Sequence, residues 1–367
     1  MTTMSVLDRF APPRHWPSLA EIGQLTGQPP SLAERLADRL RRARAAAVRQ
    51  RLLAEAEHCA PLDALLRFQP QGLQPVLTGL VDDRLDAGQR ADLLLNSLRG
   101  MAMALGAHRA AALVLGESLV LGPLPGGTQI ALGRPSASWA GGVWALRLVG
   151  HGQVLLSLPF SFLTPDTLLL GAAVGAPAPV LAGHPGLVRR LTAEALGLPP
   201  DHLLLQLLRL CAQRWRVSDL WGVDPGHQIP AGPPWHPPLS AFWQDAGGLR
   251  RPDGHWLLPL VVGRRPLEDV DPGQRALLQA RHDWLDRLDA GLAQVLAGPR
   301  AGGSVHQHVG AGGGQAVVGQ HGGHVRQVQA EVGDQGFLGV EQALDRVQPQ
   351  FAVVGDHAGQ AQHRAQA

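Results

Sequence analysis

The feature that most constrains the fold is an alternation of apolar and other residues on both sides of one short turn. Apolar side chains recur at every second position in two runs, Trp144, Leu146 and Leu148 before the turn and Val154, Leu156, Leu158, Phe160 and Phe162 after it. The turn itself is Gly150-His151-Gly152. Because successive side chains of a strand point to opposite faces, this period of two predicts a β-hairpin over 143–162. We expect one buried face, in a largely antiparallel sheet.

Helical patterns surround this hairpin. Ser31 with Glu34, and Asp86 with Gln89, are spaced as capping boxes, in which each side chain bonds the other residue's backbone N–H. They predict one helix from residue 31 to about 58 and another after Asp86. Further helices are predicted over 186–196 and 201–215 and after 271, and further strands over 168–174, 220–223 and 255–262. The predicted class is α+β: N-terminal helices, a largely antiparallel sheet, then mixed helices and strands.

Composition divides the chain into three parts. With 367 residues and 45% hydrophobic content it can bury a full core. We expect an N-terminal helical extension over 1–60 and one α+β domain over 61–298. Residues 299–367 are rich in Gly, Gln and His and keep no apolar period, which predicts a disordered or out-of-frame tail. Metal binding by its histidines is the alternative interpretation.

Charge and cysteine content exclude several classes. All 32 basic residues are arginine and the net charge is only +2, without a basic stripe interleaved with aromatics, so no nucleic-acid binding is expected. Cys59 and Cys211 stand far apart without a CxxC pair, so no metal site is predicted and a reducing compartment is favoured. The first residues do not form a signal peptide, and no apolar run is long enough to span a bilayer. We therefore expect a cytoplasmic protein without a transmembrane segment.

Few residues carry a recognisable chemistry. GxSxG, Walker A, HExxH and GxGxxG motifs are missing, which argues against the commonest hydrolase, NTPase, zincin and dinucleotide-binding classes. His227 follows a predicted strand, where site residues often lie, and is the candidate catalytic residue; an ordinary loop histidine is the alternative. Phe242 and Trp243, before Gly247-Gly248, are predicted either to stack on a substrate or to form a packing corner.

A series of short motifs is more specific together than any one alone. In chain order they are Leu158-Pro159-Phe160-Ser161-Phe162, Leu191-Thr192, His227, Phe242-Trp243, Gly247-Gly248, Asp253-Gly254, Leu258-Pro259-Leu260 and the helix around Arg281. This order, over about 62–297, resembles the VirK/YbjX family of Gram-negative bacteria. Several polar residues typical of that family are replaced, such as the Ser-Asn pair, which is here Asp224-Pro225. The resemblance implies a role in envelope remodelling, virulence or antimicrobial-peptide resistance, exerted on an envelope precursor or through a protein partner, without a cofactor.

An enzymatic alternative rests on one stretch of the same region. A strand ending in small residues (168–176), a glycine-containing loop (175–186), then helix and strand is the order of acyltransferases similar to the GNAT superfamily. In such enzymes amides at a helix N-terminus bind the pyrophosphate of acyl-CoA, because the helix dipole favours anions. Arg189 and Arg190 would hold the phosphates of acyl-CoA or an acyl carrier, and His227 would be the general base. The RxxGxG/A signature of that superfamily is missing.

Overall fold

The computed structural model describes residues 14–26, 29–135, 139–183, 186–233, 235 and 238–297. The α-helices among them are α1 Leu19–Thr26, α2 Leu32–Arg44, α3 Ala46–Glu55, α4 Ala60–Phe68, α5 Gln74–Thr78, α6 Ala87–Leu105, α7 Ala107–Val114, α8 Ala178–Ala182, α9 Leu187–Glu194, α10 Pro200–Arg214, α11 Leu239–Asp245 and α12 Pro272–Ala297. The strands are β1 Leu119–Pro123, β2 Gln129–Gly133, β3 Trp144–Gly150, β4 Gln153–Thr164, β5 Thr167–Leu170, β6 Val174–Gly175, β7 Asp219–Gly222, β8 Leu249–Arg250 and β9 Trp256–Leu258. The α+β class is thus confirmed, whereas the predicted tail lies outside the described residues.

The N-terminal helices begin as their capping residues predict. Ser31 and Glu34 form a reciprocal capping box on α2, and Asp86 and Gln89 do the same on α6. The single helix predicted from 31 to 58 is wrong, because the chain breaks at Ala45 (φ −95°, ψ 15°) into α2 and α3. Ala45 is buried, so packing rather than a glycine or proline fixes the break.

Side chains from both predicted parts, 1–60 and 61–298, enter one core. Trp16 and Leu52 are buried in the same hydrophobic cluster as Leu158 and Phe160 of β4. The N-terminal helices therefore share apolar packing with the sheet.

The sheet is mostly antiparallel with one parallel pair. Its strand order is β1-β2-β3-β4-β5-β7-β9-β8, and β6 pairs with β4 off this path. β5 and β7 are parallel neighbours, from Thr167↔Asp219 to Leu170↔Gly222, whereas the other pairings are antiparallel. The connection from β5 to β7 runs through α8, α9 and α10. The carboxyl ends of β5 and β7 consequently lie at the same end of the sheet.

The predicted hairpin is present, and the apolar residues of its two strands pair with one another. Trp144 pairs with Phe160, Leu146 with Leu158, and Leu148 with Leu156. The turn uses His151 and Gly152 at positive φ (51° and 73°). The two strands of the hairpin thus bring the predicted apolar residues together on one face.

The expectation of only one buried face is wrong. Ser157 and Ser161, which alternate with the apolar residues of β4, are 3% and 0% exposed. The turn before β3 covers this second face, because a Cβ added to Gly141 would lie 3.3 Å from Pro159 Cγ and 2.6 Å from Ala231 Cβ. Such contacts over the second face are not encoded in the period of a single strand.

Two other strands are shorter than predicted. The strand expected over 168–174 ends at Leu170, and Val174–Gly175 pairs separately with β4. The strand expected over 255–262 is limited to Trp256–Leu258. The central position of β5 is confirmed, since it lies between β4 and β7 and all four of its residues are buried.

Helix α6 packs against β3 and β4, and α12 packs against β1, where a Cβ on Gly122 would lie 2.8 Å from Leu288 Cδ1. The indole N–H of Trp144 donates to the carbonyl of Ser97 in α6 (2.8 Å), and Ser97 Oγ accepts from the backbone N–H of Phe162 (3.0 Å). α12 buries Trp284, Leu288, Leu292 and Leu296. None of the helices just described combines the length and apolar character needed to cross a bilayer.

Candidate functional site

Three chain segments bring charged side chains together beyond the carboxyl end of β7. We call Asp82, Asp83, Arg84, Asp224, His227, Asp253 and His255 the Asp82 cluster. Trp256 of β9 pairs with Gly222 of β7, which places the residues before β9 beside those after β7. Residues 81–83 join them through backbone bonds from Asp83 N–H to His227 O (2.9 Å) and from Ile229 N–H to Val81 O (3.0 Å).

Asp82 is the buried centre of this cluster, with 1% of its surface exposed. Its Oδ1 accepts from Arg84 N–H (2.9 Å) and Arg84 Nε (3.0 Å), and its Oδ2 lies 2.5 Å from Arg84 Nη2 and 3.2 Å from His255 Nε2. Burial by itself raises the pKa of Asp82, but hydrogen bonds from His255 and Arg84 outweigh that effect and hold the pKa well below its usual range. At neutral pH Asp82 is therefore a buried anion with charge-assisted partners.

Arg84 ties the three segments together. Besides its bonds to Asp82, its Nη1 donates to the carbonyl oxygen of Asp253 (2.6 Å) and lies 3.7 Å from Asp224 Oδ2. Hydrogen bonding to Asp82 raises the pKa of Arg84. The guanidinium thus lies between the carboxylates of Asp82 and Asp224 and the backbone carbonyl of Asp253. In the described part of the chain, no group of three or more His, Cys, Asp or Glu is arranged to hold a metal ion.

Asp253-Gly254, one of the short motifs of the sequence, supplies the third segment. Gly254 has φ +88°, and a Cβ there would lie only 2.1 Å from Asp224 Oδ2. A side chain would therefore displace Asp224 and strain the backbone. The turn positions His255, whose backbone N–H donates to Asp253 Oδ1 (3.1 Å).

His227, the predicted catalytic residue, lies at the exposed edge of the cluster. Its Nδ1 is 2.9 Å from Asp83 Oδ1, and the two side chains are 42% and 56% exposed. When Nδ1–H donates to Asp83, Nε2 keeps its lone pair. A carboxylate that holds the imidazole in this tautomer is the arrangement a general base requires.

Backbone strain adjoins the same cluster. Val81, a β-branched residue, has φ +61°, in a region that such residues rarely adopt. It is fully buried, and its N–H donates to the carbonyl of Ala140 (2.6 Å). Hydrogen bonds at both its N–H and its C=O hold this conformation.

Arg251 and Trp221 form one flank of the site. The Arg251 guanidinium carbon lies 3.9 Å from the Trp221 ring centroid, within the distance of a cation–π interaction. The Trp221 ring is in turn 6.0 Å from the ring of His255. The aromatic surface therefore continues directly into the buried network.

Phe242 and Trp243, the aromatic residues predicted to bind substrate, are buried in the core, where Trp243 packs against β7. Phe242 and Trp243 are 5% and 0% exposed. The Trp243 indole N–H donates to the carbonyl of Val223 (3.1 Å), and a Cβ on Gly222 would lie 2.6 Å from the indole ring. These contacts fit the packing-corner interpretation, and the substrate-binding role remains a prediction.

Arg189 and Arg190 project from the exposed side of α9. Gly186, in the left-handed conformation (φ 72°), precedes the helix, and no side chain caps its first turn. Arg190 Nε lies 3.7 Å from Glu194 Oε1. Among the contacts described for these arginines none joins them to the Asp82 cluster, and their phosphate-binding role remains a prediction.

Sequence reasoning singled out His227, but it missed Asp82, Arg84 and His255. The sequence did contain a pattern that could have indicated Asp82 and Arg84, since the charged run Asp82-Asp83-Arg84 directly follows the apolar pair Leu80-Val81. Arg84 and His255 are 171 residues apart in the chain, so only the tertiary fold brings them together.

Comparisons with known proteins give a family but no activity. Residues 32–294 match the family described as "Protein of unknown function (DUF535)". An uncharacterized protein of Haemophilus influenzae is 23% identical over 225 residues, which cover 60% of this chain and 76% of that protein. The uncharacterized protein YbjX of Escherichia coli is 25% identical over 118 residues, or 30% of this chain and 36% of YbjX. No solved structure matches significantly.

Proposed function

This chain belongs to the DUF535 family, which confirms its resemblance to VirK and YbjX. From that premise we propose that it contributes to remodelling of the bacterial envelope. The proposed role is envelope remodelling that protects against antimicrobial peptides and supports virulence. It is exerted from the cytoplasm, on an envelope precursor or through a protein partner. The Asp82 cluster is the proposed site of this action.

The observation that carries the choice of site is the buried network around Asp82. Burying a carboxylate costs free energy unless it is fully paired. Carboxylates whose pKa is strongly shifted by specific partners cluster at functional sites. Strain such as that of Val81 clusters at functional sites. The network holds Asp83 and His227 at the surface, where a substrate or partner can reach them.

A deletion strain of the encoding bacterium tests this proposal. We expect loss of the gene to increase dye uptake across the envelope and sensitivity to a cationic antimicrobial peptide at least fourfold. The wild-type gene should restore both, whereas His227→Gln should not. His58→Gln, at an exposed histidine outside the cluster, is the matched control and should restore both. Full restoration by His227→Gln would show that the cluster is not the site.

The second candidate function is acyl transfer from acyl-CoA or an acyl carrier. It is favoured by the parallel pair β5–β7 with its helical crossover, because ligands of α/β sheets bind beyond the carboxyl ends of such strands. Small residues, Gly171-Ala172-Ala173, follow β5 there. The Asp83–His227 pair would supply the base that accepts a proton from the acceptor substrate.

The uncapped start of α9 fits the phosphates of acyl-CoA. Gly186 offers no side chain that could bond the first-turn amides, so these amides are open to an anion. Arg189 and Arg190 would stand beside them. When bound, the thioester of acyl-CoA would supply the activated acyl group.

Calorimetric titration with acetyl- and long-chain acyl-CoA tests the acyltransferase proposal. We expect wild type to bind and the double change Arg189→Ala, Arg190→Ala to weaken binding at least tenfold, because charge-assisted contacts to the phosphates are lost. The exposed pair Arg39→Ala, Arg49→Ala is the control and should bind like wild type. Absence of binding to wild type would reject acyl transfer and leave the envelope role as a non-catalytic one. Binding that survives the Arg189 and Arg190 changes would reject only this phosphate position.

A further inference from the structure

Two partly buried arginines lie together at a different place on the sheet. Arg134 directly follows β2, and Arg147 is in β3, where it pairs with Ala131 of β2. β2 is four strand spacings and β3 three strand spacings from β7, so at about 4.8 Å per strand they lie roughly 19 Å and 14 Å from the strand that leads into the Asp82 cluster. The two arginines are therefore not part of that site.

Neutral side chains hold the two guanidinium groups in place. Arg147 Nη2 donates to Ser118 Oγ (2.6 Å), and Arg134 Nη1 donates to Gln69 Oε1 (3.1 Å). The Arg134 guanidinium also lies over the Trp139 ring, 5.9 Å from its centroid. Arg147 Nε is buried and has no hydrogen-bond partner.

Acidic groups among the described residues do not balance the charge of this pair. No carboxylate in the described part of the chain forms an ion pair with Arg134 or Arg147. Burial lowers the pKa of both side chains, and the neighbouring charge of Arg134 lowers that of Arg147 further. In contrast, hydrogen bonding to carboxylates raises the pKa values of Arg84 and Arg264. Two adjacent cations that are partly removed from water without an anion are unfavourable by themselves.

Gly133 and Gly116, which have no side chain, provide the space that the guanidinium groups of Arg147 and Arg134 occupy. A Cβ on Gly133 would come within 2.4 Å of Arg147 Nη2, and one on Gly116 would come within 3.3 Å of Arg134 Nη2. Gly116 also has φ +106°, which few other residues adopt. The segment Gly116–Ser118 thus runs beside both arginines.

We propose that Arg134, Arg147 and the Ser118 hydroxyl form a binding site for a phosphate group. Two planar guanidiniums offer several N–H donors that match phosphate oxygens. Ser118 Oγ accepts from Arg147, which leaves its O–H proton available to donate to the anion. The phosphate would supply the negative charge that the described residues around the pair do not.

The site takes the phosphate of a soluble ester or of a lipid headgroup, since both present the same oxygens. It does not depend on either function proposed for the Asp82 cluster. It also differs from the phosphate position at Arg189 and Arg190, so each assignment can fail alone.

The test is thermal unfolding of the full chain with inorganic phosphate, pyrophosphate or potassium chloride at matched ionic strength. A ligand that binds only the folded state raises its midpoint, so phosphate or pyrophosphate should stabilise wild type more than chloride does. Arg147→Gln and Arg134→Gln should each weaken the apparent phosphate affinity at least tenfold. Arg49→Gln, at an exposed arginine, is the control and should respond like wild type.

The increase in the unfolding midpoint that phosphate causes distinguishes a binding role of the arginines from a structural role. An arginine needed only for packing would lower every midpoint equally, with the phosphate increment unchanged, and that result would overturn the proposal. No increment with wild type would overturn it as well. Binding to vesicles of phosphatidylglycerol, compared with vesicles of phosphatidylcholine, distinguishes a lipid headgroup from a soluble ester. Binding to phosphatidylglycerol vesicles that Arg147→Gln abolishes would assign the site to an anionic lipid headgroup. An effect of the soluble anions alone would assign it to a soluble ester.

Discussion

Replacing Phe160 with alanine is expected to lower the free energy of unfolding by about 3–5 kcal/mol, the cost of removing a fully buried aromatic ring. Phe160 is 0% exposed and pairs across the hairpin with Trp144. Its ring stacks on Trp215 (5.9 Å between centroids) and meets Phe162 edge-on (6.5 Å). The truncation would therefore leave a cavity between β4 and α10. Equilibrium unfolding in urea measures the effect.

Two control variants make this result specific. Phe68 ends α4 and is 50% exposed, so Phe68→Ala should cost less than about 1 kcal/mol. Ser157→Ala changes the other face of β4 and removes only a hydroxyl, so it should also cost much less than Phe160→Ala. Equal losses of unfolding free energy for Phe160→Ala and Ser157→Ala would mean that the Phe160 ring does not fill the core.

The hairpin shows which structural features local sequence patterns can predict and which they cannot. The period of two and the Gly150-His151-Gly152 turn predicted the hairpin and its apolar face, because both reflect local geometry. The pairing of Trp144 with Phe160 was not predicted, since a register shift between Leu148 and Val149 intervenes before the turn. Burial of Ser157 and Ser161 could not be predicted, since it depends on the turn at Gly141 folding over from outside the two strands. Likewise, the capping boxes predicted where α2 and α6 begin, but the break at Ala45 has no local signal.

The candidate site was harder to predict than the fold for a related reason. His227 was found because it follows a strand, yet its partner Asp83 lies 144 residues earlier. The Asp82–His255 contact depends on β9 inserting beside β7 and on residues 81–83 pairing with 227–229. Neither pairing leaves a periodicity in the sequence, because a long-range contact requires no particular local pattern.

Replacing Asp82 with alanine is expected to cost about 3 kcal/mol at pH 7, as for other buried ion pairs that lose one partner. The change leaves Arg84 and His255 without their acceptor. We expect the lower end of the usual range because Arg84 is 34% exposed and water can replace part of the interaction. Asp92→Ala is the control: its side chain is 53% exposed and pairs with Arg51 at the surface, so it should cost less than about 1 kcal/mol. Similar losses for both variants would show that the Asp82 network contributes no more than a surface pair.

The pH dependence of Asp82→Asn tests whether this carboxylate is the stabilising charge. Its pKa is lower in the folded protein than the ordinary value of about 3.9, so its contribution is complete above that value and declines as pH falls below it. The stability difference between wild type and Asp82→Asn should therefore be constant above about pH 5 and shrink below about pH 4. Since His255, Asp224 and Asp253 also face Arg84, the comparison is repeated in a His255→Gln background, where that imidazole cannot titrate. A difference that stays constant, or grows, between pH 4 and pH 2 would exclude ionised Asp82 as the source of the stabilisation.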